Sequence, residues 1–260
     1  MKSSLKDDIR EIREMNKMGL ETFSFDKHNV LDFPIDKLIK NLKAGIDKSH
    51  FEYEKWSKLE KENPKKFDEL DELAQRTGHS LQIQMINYLE EIMYAEDELF
   101  ALFEIKIIYA FKHLEINIKK LLSSAYEDKA INRRLNWDNL SQYLSTKNIN
   151  LKLVDNYEEI NQLRLVNNSI KHSEKIIDES LRNITEFKEN DNFSYLELEI
   201  FYKRIKDCPN KFLASLISAV YADIYEFNDK RISIIARSLA LRMDKENAIK
   251  LSEYLVELYK

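Results

Sequence analysis

Hydrophobic residues recur at intervals of three and four positions along most of this chain, which is the period of an amphipathic helix. The first series runs from Leu5 to Met18; Ser3 or Ser4 precedes it as a candidate cap and Gly19 ends it. Asn63 and Pro64 mark a later helix start, and Thr77 with Gly78 marks its end. The spacing predicts helices near residues 4–19, 36–46, 51–59, 64–77, 80–122, 137–143, 155–181, 195–205, 210–227 and 231–259.

The most apolar stretch runs from Leu99 to Phe111 and has little polar face in its middle. Such a helix is typically buried on most sides. We therefore expect the helix over 80–122 to be the centre of the core. The polar stretch 186–191 is predicted to be a loop.

Turn-forming residues are scarce, since the 260 residues include three glycines and three prolines. So few cannot supply the turns of a β-sandwich or a doubly wound sheet, and isolated glycines cannot form a phosphate-binding loop. The predicted fold is all-α, a helical bundle with long antiparallel helices. We divide it into a charged helical extension (1–79), a helical core (80–189) and a C-terminal helical segment packed on that core (190–260).

The net charge of −5 lies entirely before residue 98, and the remainder of the chain is neutral with locally basic stretches at 112–134 and 230–245. Cys208 is the only cysteine, which excludes an intramolecular disulfide and a cysteine-based zinc site. No stretch has the apolar length of a membrane span, and Glu104 and Lys106 interrupt the longest. We expect a soluble, cytoplasmic protein that does not enter a membrane.

The sequence contains little evidence for a metal-binding site. The Glu-x-x-His pair of di-iron bundles does not occur. Glu69 and Glu72 could form half of a paired acidic motif, but the only later Glu-x-x-Asp, Glu226 to Asp229, crosses a predicted helix end. We predict no metal and no cofactor.

One segment, LRLVNNSIKHS, combines several groups that suit a phosphate ligand. Arg164, Asn168 and His172 are four residues apart and share one helix face, with Lys171 beside them. The opposite face carries Leu163, Val166 and Ile170. Arginine binds phosphate oxygens bidentately, and histidine transfers protons near neutral pH.

An apolar central helix (ELFALFEIKIIYAFKHLEINIKKLL), a tryptophan-containing connector (NWDNLSQYL) and the LRLVNNSIKHS helix follow one another over residues 80–181. This order resembles the HEPN superfamily of α-helical bundles. The resemblance implies metal-independent endoribonuclease activity, with two protomers forming one groove, in toxin-antitoxin systems or phage defence. It implies catalytic roles for His172, Asn168 and Arg164, and RNA or phosphate contacts for Lys171, Asn167 and His113.

In the family pattern, four to six residues separate the arginine from the histidine, so the arginine is expected at one of the positions that Leu165, Val166 and Asn167 occupy here. Two hypotheses follow. The first is a HEPN-like ribonuclease acting on RNA as a homodimer. The second is a catalytically inactive helical module that binds nucleic acid, or a protein partner through the charged N-terminal helices. His113 and the row on 164–172 also have purely structural interpretations, as hydrogen-bonding groups of a bundle.

Overall fold

A computed structural model describes residues 4–23, 32–172 and 175–259 of the chain. Within these ranges the regular structure is helical, apart from one isolated β-bridge between Ile176 and Asn192. The all-α prediction is confirmed. The α-helices are α1 (Ser4–Glu21), α2 (Asp32–Glu62), α3 (Pro64–Arg76), α4 (Leu81–Ala125), α5 (Ile131–Arg134), α6 (Trp137–Ser145), α7 (Tyr157–His172), α8 (Tyr195–Ile205), α9 (Cys208–Tyr225), α10 (Asp229–Ala240) and α11 (Lys245–Tyr259). Short 3-10 turns cover Leu151–Leu153, Glu179–Leu181 and Thr185–Phe187.

The chain forms two compact units, each built from segments that are distant in the sequence. Unit 1 comprises Met1–Phe25, Leu114–Tyr157 and Asn210–Lys260, and unit 2 comprises Asp26–His113 and Glu158–Pro209. The 45-residue helix α4 contributes its longer part to unit 2 and its last turns to unit 1. The division into segments 1–79, 80–189 and 190–260 stays a prediction.

The core of unit 2 is formed by the apolar faces of α2, α4, α7 and α8. The spacing of its buried residues follows the helical period, as in Leu99, Phe103 and Ile107 of α4. A buried ammonium group fixes α2 against this core: Lys106 Nζ lies 2.5 Å from Asp36 Oδ1 and 3.3 Å from Asp32 Oδ1. The same ammonium lies 4.6 Å from the centre of the Tyr202 ring, whose hydroxyl donates to Asp32 at 2.6 Å.

The start of α4 is held by a buried carboxylate from α3. Asp71 accepts hydrogen bonds from the Leu81 backbone N–H (2.6 Å), the Ser80 hydroxyl (2.9 Å) and the Gln75 amide (2.7 Å). Burial alone would raise the pKa of Asp71, but these hydrogen bonds outweigh it and hold the pKa below its ordinary value. Asp71 therefore caps α4 from outside that helix.

The core of unit 1 centres on α9 and the end of α4. Trp137 of α6 lies between Tyr157, stacked at 6.4 Å, and Phe212 of α9 at 6.1 Å. Fully buried leucines from three helices complete this core: Leu122 of α4, Leu144 of α6 and Leu216 of α9.

Several predicted helix bounds are confirmed and several are wrong. Asn63 Oδ1 accepts from Lys66 N at 3.2 Å and Pro64 begins α3, as the sequence predicts, and Gly78 follows that helix with φ of +84°. The two helices predicted over 36–59 are the single helix α2, which already begins before Pro34. The helix predicted over 155–181 ends at His172, and the one predicted over 231–259 is broken at residues 241–244. The candidate cap Ser3 lies outside the described residues.

Candidate functional site

The candidate row lies on α7, whose ends carry charges that suit a helix. Glu158 and Glu159 occupy its first turn, and Lys171 and His172 occupy its last. Acidic groups at the amino end and basic groups at the carboxyl end stabilise the helix dipole. Of the predicted inner face, Leu163 and Val166 are completely buried and Ile170 is half-buried; Ile160, one turn before Leu163, is also completely buried.

The guanidinium of Arg164 is engaged within α7 itself. Its Nε and Nη2 atoms donate to Asn161 Oδ1 at 3.2 and 3.1 Å, and the side chain is half-buried. Arg164 precedes His172 by eight residues, which is about 12 Å along a helix axis. In its hydrogen bonds to Asn161 the guanidinium lies toward the amino end of α7, away from His172.

Asn168 lies in the middle of the row, and its neighbour Asn167 has the opposite environment. Asn168 is exposed, whereas Asn167 is only 1% exposed. Asn167 Nδ2 donates to Asn168 Oδ1 at 3.0 Å, while its own Oδ1 is buried without a hydrogen-bond partner among the described residues. Asn167 thus orients its neighbour, and the amide presented to solvent is that of Asn168.

The last turn of α7 presents its polar groups together. Asn168, Lys171 and His172 are all exposed. Asn168 and His172 are one turn apart, so an amide, an ammonium and an imidazole share a surface about 6 Å long. Hydrogen-bond donors and a cation in this arrangement can bind a phosphate, and an exposed imidazole can exchange a proton with a bound group.

Arg204 of α8 contacts both α7 and the 3-10 turn Thr185–Phe187. Arg204 donates through Nε to Glu186 Oε1 at 2.7 Å and through Nη2 to Gln162 Oε1 of α7 at 2.9 Å. Burial alone would raise the pKa of Glu186, but the hydrogen bond from Arg204 lowers it below the ordinary value. This bridge ties α7 to α8 close to Arg164. His113, the remaining predicted RNA contact, lies half-buried on α4, and its role stays a prediction.

A second polar region, in unit 1, was not predicted from the sequence. A cavity of about 630 Å³ lies between α9, the start of α10 and residues 147–154, with Lys147, Asp223 and Arg231 on its walls. Arg231 donates to the Ala222 and Glu226 carbonyls at 2.7 and 2.9 Å and lies 3.6 Å from Asp223.

Tyr126 lies beside this cavity and contacts two of its charged residues, Asp223 and Lys147. Tyr126 donates to Asp223 at 2.9 Å, and Lys147 lies 4.4 Å from the Tyr126 ring centre. Burial raises the pKa of Tyr126, and the hydrogen bond to Asp223 raises it further. Only the basic stretch at 230–245 indicated this region, because the rest of its lining comes from residues 147–154 and 215–228, which are far apart in the sequence.

The third notable surface is the C-terminal hairpin, which we define as α10, residues 241–244 and α11. Neither helix contains a buried residue, although both carry many large apolar side chains. Those exposed in the hairpin are Ile232, Ile234, Ile235, Leu241, Ile249, Tyr254, Leu255, Val256, Leu258 and Tyr259. Its attachment within unit 1 includes Arg10 donating to the Tyr259 carbonyl at 2.6 Å.

Comparison with known proteins gives no family, since no protein-family model, curated protein or solved structure matches this chain. No helix in the described ranges has the length and apolar character needed to cross a membrane. Within those same ranges, no three histidine, cysteine or acidic side chains come together as metal ligands do.

Proposed function

We propose that this protein acts on RNA through the exposed end of α7, as a HEPN-like, metal-independent endoribonuclease. The observation that carries the proposal is the joint exposure of Asn168, Lys171 and His172 on one helical turn. These groups supply a hydrogen-bond donor, a positive charge and a proton acceptor to one bound phosphodiester.

The chemistry that suits these groups is internal transesterification of RNA. A neutral His172 imidazole takes the proton of a ribose 2′-hydroxyl, and that oxygen attacks the adjacent phosphorus. The bond from phosphorus to the 5′ oxygen breaks, and the imidazolium returns its proton to the leaving oxygen. The products are a 2′,3′-cyclic phosphate and a 5′-hydroxyl, and Lys171 offsets the added negative charge on the phosphate.

The test is cleavage of labelled tRNA and single-stranded RNA by the purified protein in the presence of a chelator. We expect wild-type cleavage, and a loss of about 100-fold or more in His172→Ala, the usual size of an acid-base contribution. His50→Ala is the matched control, because His50 is an exposed histidine on α2. Equal cleavage by His172→Ala and wild type would remove His172 from the mechanism.

A second candidate is a helical module that binds RNA without cutting it. It is favoured by the engagement of Arg164 with Asn161 and by the burial of Asn167, which stands where the family arginine is expected. Within one chain, no guanidinium from these positions is placed beside His172. Misplacement of a positioning group by about 1 Å can cost orders of magnitude in rate.

Binding without cleavage separates the two candidates. Fluorescence anisotropy with labelled RNA is expected to show an affinity that falls steeply with salt, because phosphate binding releases counterions. Lys171→Glu is expected to weaken binding, whereas Lys65→Glu, an exposed lysine on α3, is the matched control. A complex whose affinity does not change with salt concentration indicates a protein partner instead. The charged N-terminal helices are the proposed surface for such a partner. Absence of both binding and cleavage would contradict an RNA-directed role.

A further inference from the structure

The C-terminal hairpin carries more apolar surface than its own contacts cover. Ten large apolar side chains are exposed there, and Leu241 is 81% exposed. Leu239 and Leu251 of the same hairpin are, by contrast, half-buried. So many exposed large apolar side chains in one hairpin indicate an interface.

The exposed face of α10 has a defined border. Leu241 directly follows the last residue of α10 and keeps a helical backbone conformation. Ile234 and Leu241 are seven residues apart and so lie on one side, about 150° away from Leu239. Lys230 and Arg237 each stand four residues before one of them and flank the same ridge. Together these residues form an apolar ridge one heptad long with a basic border, and its first two residues, Lys230 and Ile234, also line the open cavity of unit 1.

The exposed edge of α11 has the opposite charge. Ile249 and Val256 are also seven residues apart, and Glu246 and Glu253 each stand three residues before one of them. Lys250 pairs with Glu246 at 2.8 Å, whereas Glu253 forms no ion pair within the described part of the chain. This edge is an apolar ridge of the same length with an acidic border.

We infer that the C-terminal hairpin is a self-association surface, in which α10 of one copy packs on α11 of a second copy and the reverse contact forms by two-fold symmetry. The basic and acidic borders then face each other twice, as the flanking charges of a coiled coil do. Lys230 and Arg237 are not paired within the described residues, so both are available for this contact. The inference does not rest on α7 or on any action on RNA.

Charge reversal gives a test that depends on contact between copies. Variant X is Lys230→Glu with Arg237→Glu, and variant Y is Glu246→Lys with Glu253→Lys. Two copies of X bring acidic borders together and two copies of Y bring basic borders together. A mixture of X and Y pairs opposite charges at both contacts.

Sedimentation equilibrium measures the mass of the full chain over a range of concentrations. Wild type is expected to approach twice its 31.0 kDa mass at micromolar concentration, and X and Y alone to dimerise at least about tenfold more weakly. The equimolar mixture of X and Y is expected to recover wild-type affinity as a heterodimer. Lys65→Glu with Lys66→Glu is the control for X, because it makes the same change in net charge at exposed positions of α3.

Three outcomes overturn the inference: a wild type that stays monomeric, an X or Y that dimerises like wild type, or a mixture that stays monomeric. Circular dichroism establishes that each variant is folded. Should a charge variant lose helicity, Ile234→Ser with Leu241→Ser replaces it, and unchanged dimerisation of that variant also overturns the inference.

Discussion

The middle of α4 and the helix α11 are both rich in large apolar residues, yet they have opposite environments. Leu99 of α4 is completely buried, whereas Leu255 of α11 is 51% exposed. An apolar pattern therefore shows which side of a helix needs a partner, and the tertiary structure shows whether the same chain supplies one. For Leu99, Phe103 and Ile107 in the middle of α4 it does, and for α11 we infer that a second copy does.

The largest expected effect is a contrast in stability between these two helices. Leu99→Ala leaves a cavity in the core of unit 2 and is expected to lower the free energy of unfolding by about 2–5 kcal/mol. Leu255→Ala removes a half-exposed side chain, so at a concentration where the chain is monomeric the expected cost is below about 1 kcal/mol. Urea denaturation followed by circular dichroism measures both. Equal losses would mean that the hairpin is covered within one chain.

A second contrast compares a buried lysine with an exposed one. The Lys106 side chain is 4% exposed and lies against Asp32 and Asp36, whereas Lys175 pairs with Asp97 in solvent at 2.8 Å. Lys106→Met keeps most of the volume but removes the charged hydrogen bonds, and we expect a loss of about 1–3 kcal/mol.

Lys175→Met is the matched control, with an expected loss below about 1 kcal/mol because solvent screens that pair. The same denaturation assay separates the two variants. If Lys106→Met is as stable as wild type, α2 is held by its apolar face alone, through residues such as Ile35 and Ile39.

The sequence predicted the bounds of those helices whose ends are set by capping residues, proline or glycine. The bounds of α3 follow from the Asn63 cap, Pro64 and the left-handed Gly78, all of which are visible in the sequence. The continuity of α2 could not be predicted in this way. Ser49 of α2 donates to Glu91 of α4 at 2.7 Å, so a tertiary contact supports the helix where its apolar period weakens.

The sequence predicted which side chains of the candidate site face inward and which face solvent, but not the contacts that they make. Helical spacing alone placed Leu163 and Val166 inward and Asn168 and His172 outward, as the structure has them. The same spacing continued the helix to Leu181, because Leu181 is buried in the same core after the chain has left the helix. The helical spacing of apolar residues does not give the positions of individual side-chain atoms. It therefore could not predict the hydrogen bond between Asn167 and Asn168 or the cavity of unit 1.

The smallest expected effect concerns the first turns of α4 and α11. Each of these two helices is capped by an aspartate side chain. Asp71 is buried at the start of α4, while the exposed Asp244 accepts from Asn247 N at 2.8 Å at the start of α11. The hydrogen bonds to Asp71 hold its pKa below the ordinary value of 3.8. Its contribution to stability is therefore complete above about pH 4 and is lost as the pH falls through the lowered pKa.

We expect Asp71→Asn to be less stable than wild type at neutral pH and to lose less stability between neutral and acidic pH, because its side chain cannot be protonated there. Asp244→Asn is the matched control: asparagine caps a helix as well as aspartate does, so little change at neutral pH is expected. Urea denaturation at pH 7, 5 and 3 measures both. If Asp71→Asn loses as much stability between pH 7 and pH 3 as wild type does, other carboxylates account for the acid sensitivity. The buried start of α4 would then depend on its aspartate no more than the exposed start of α11 does.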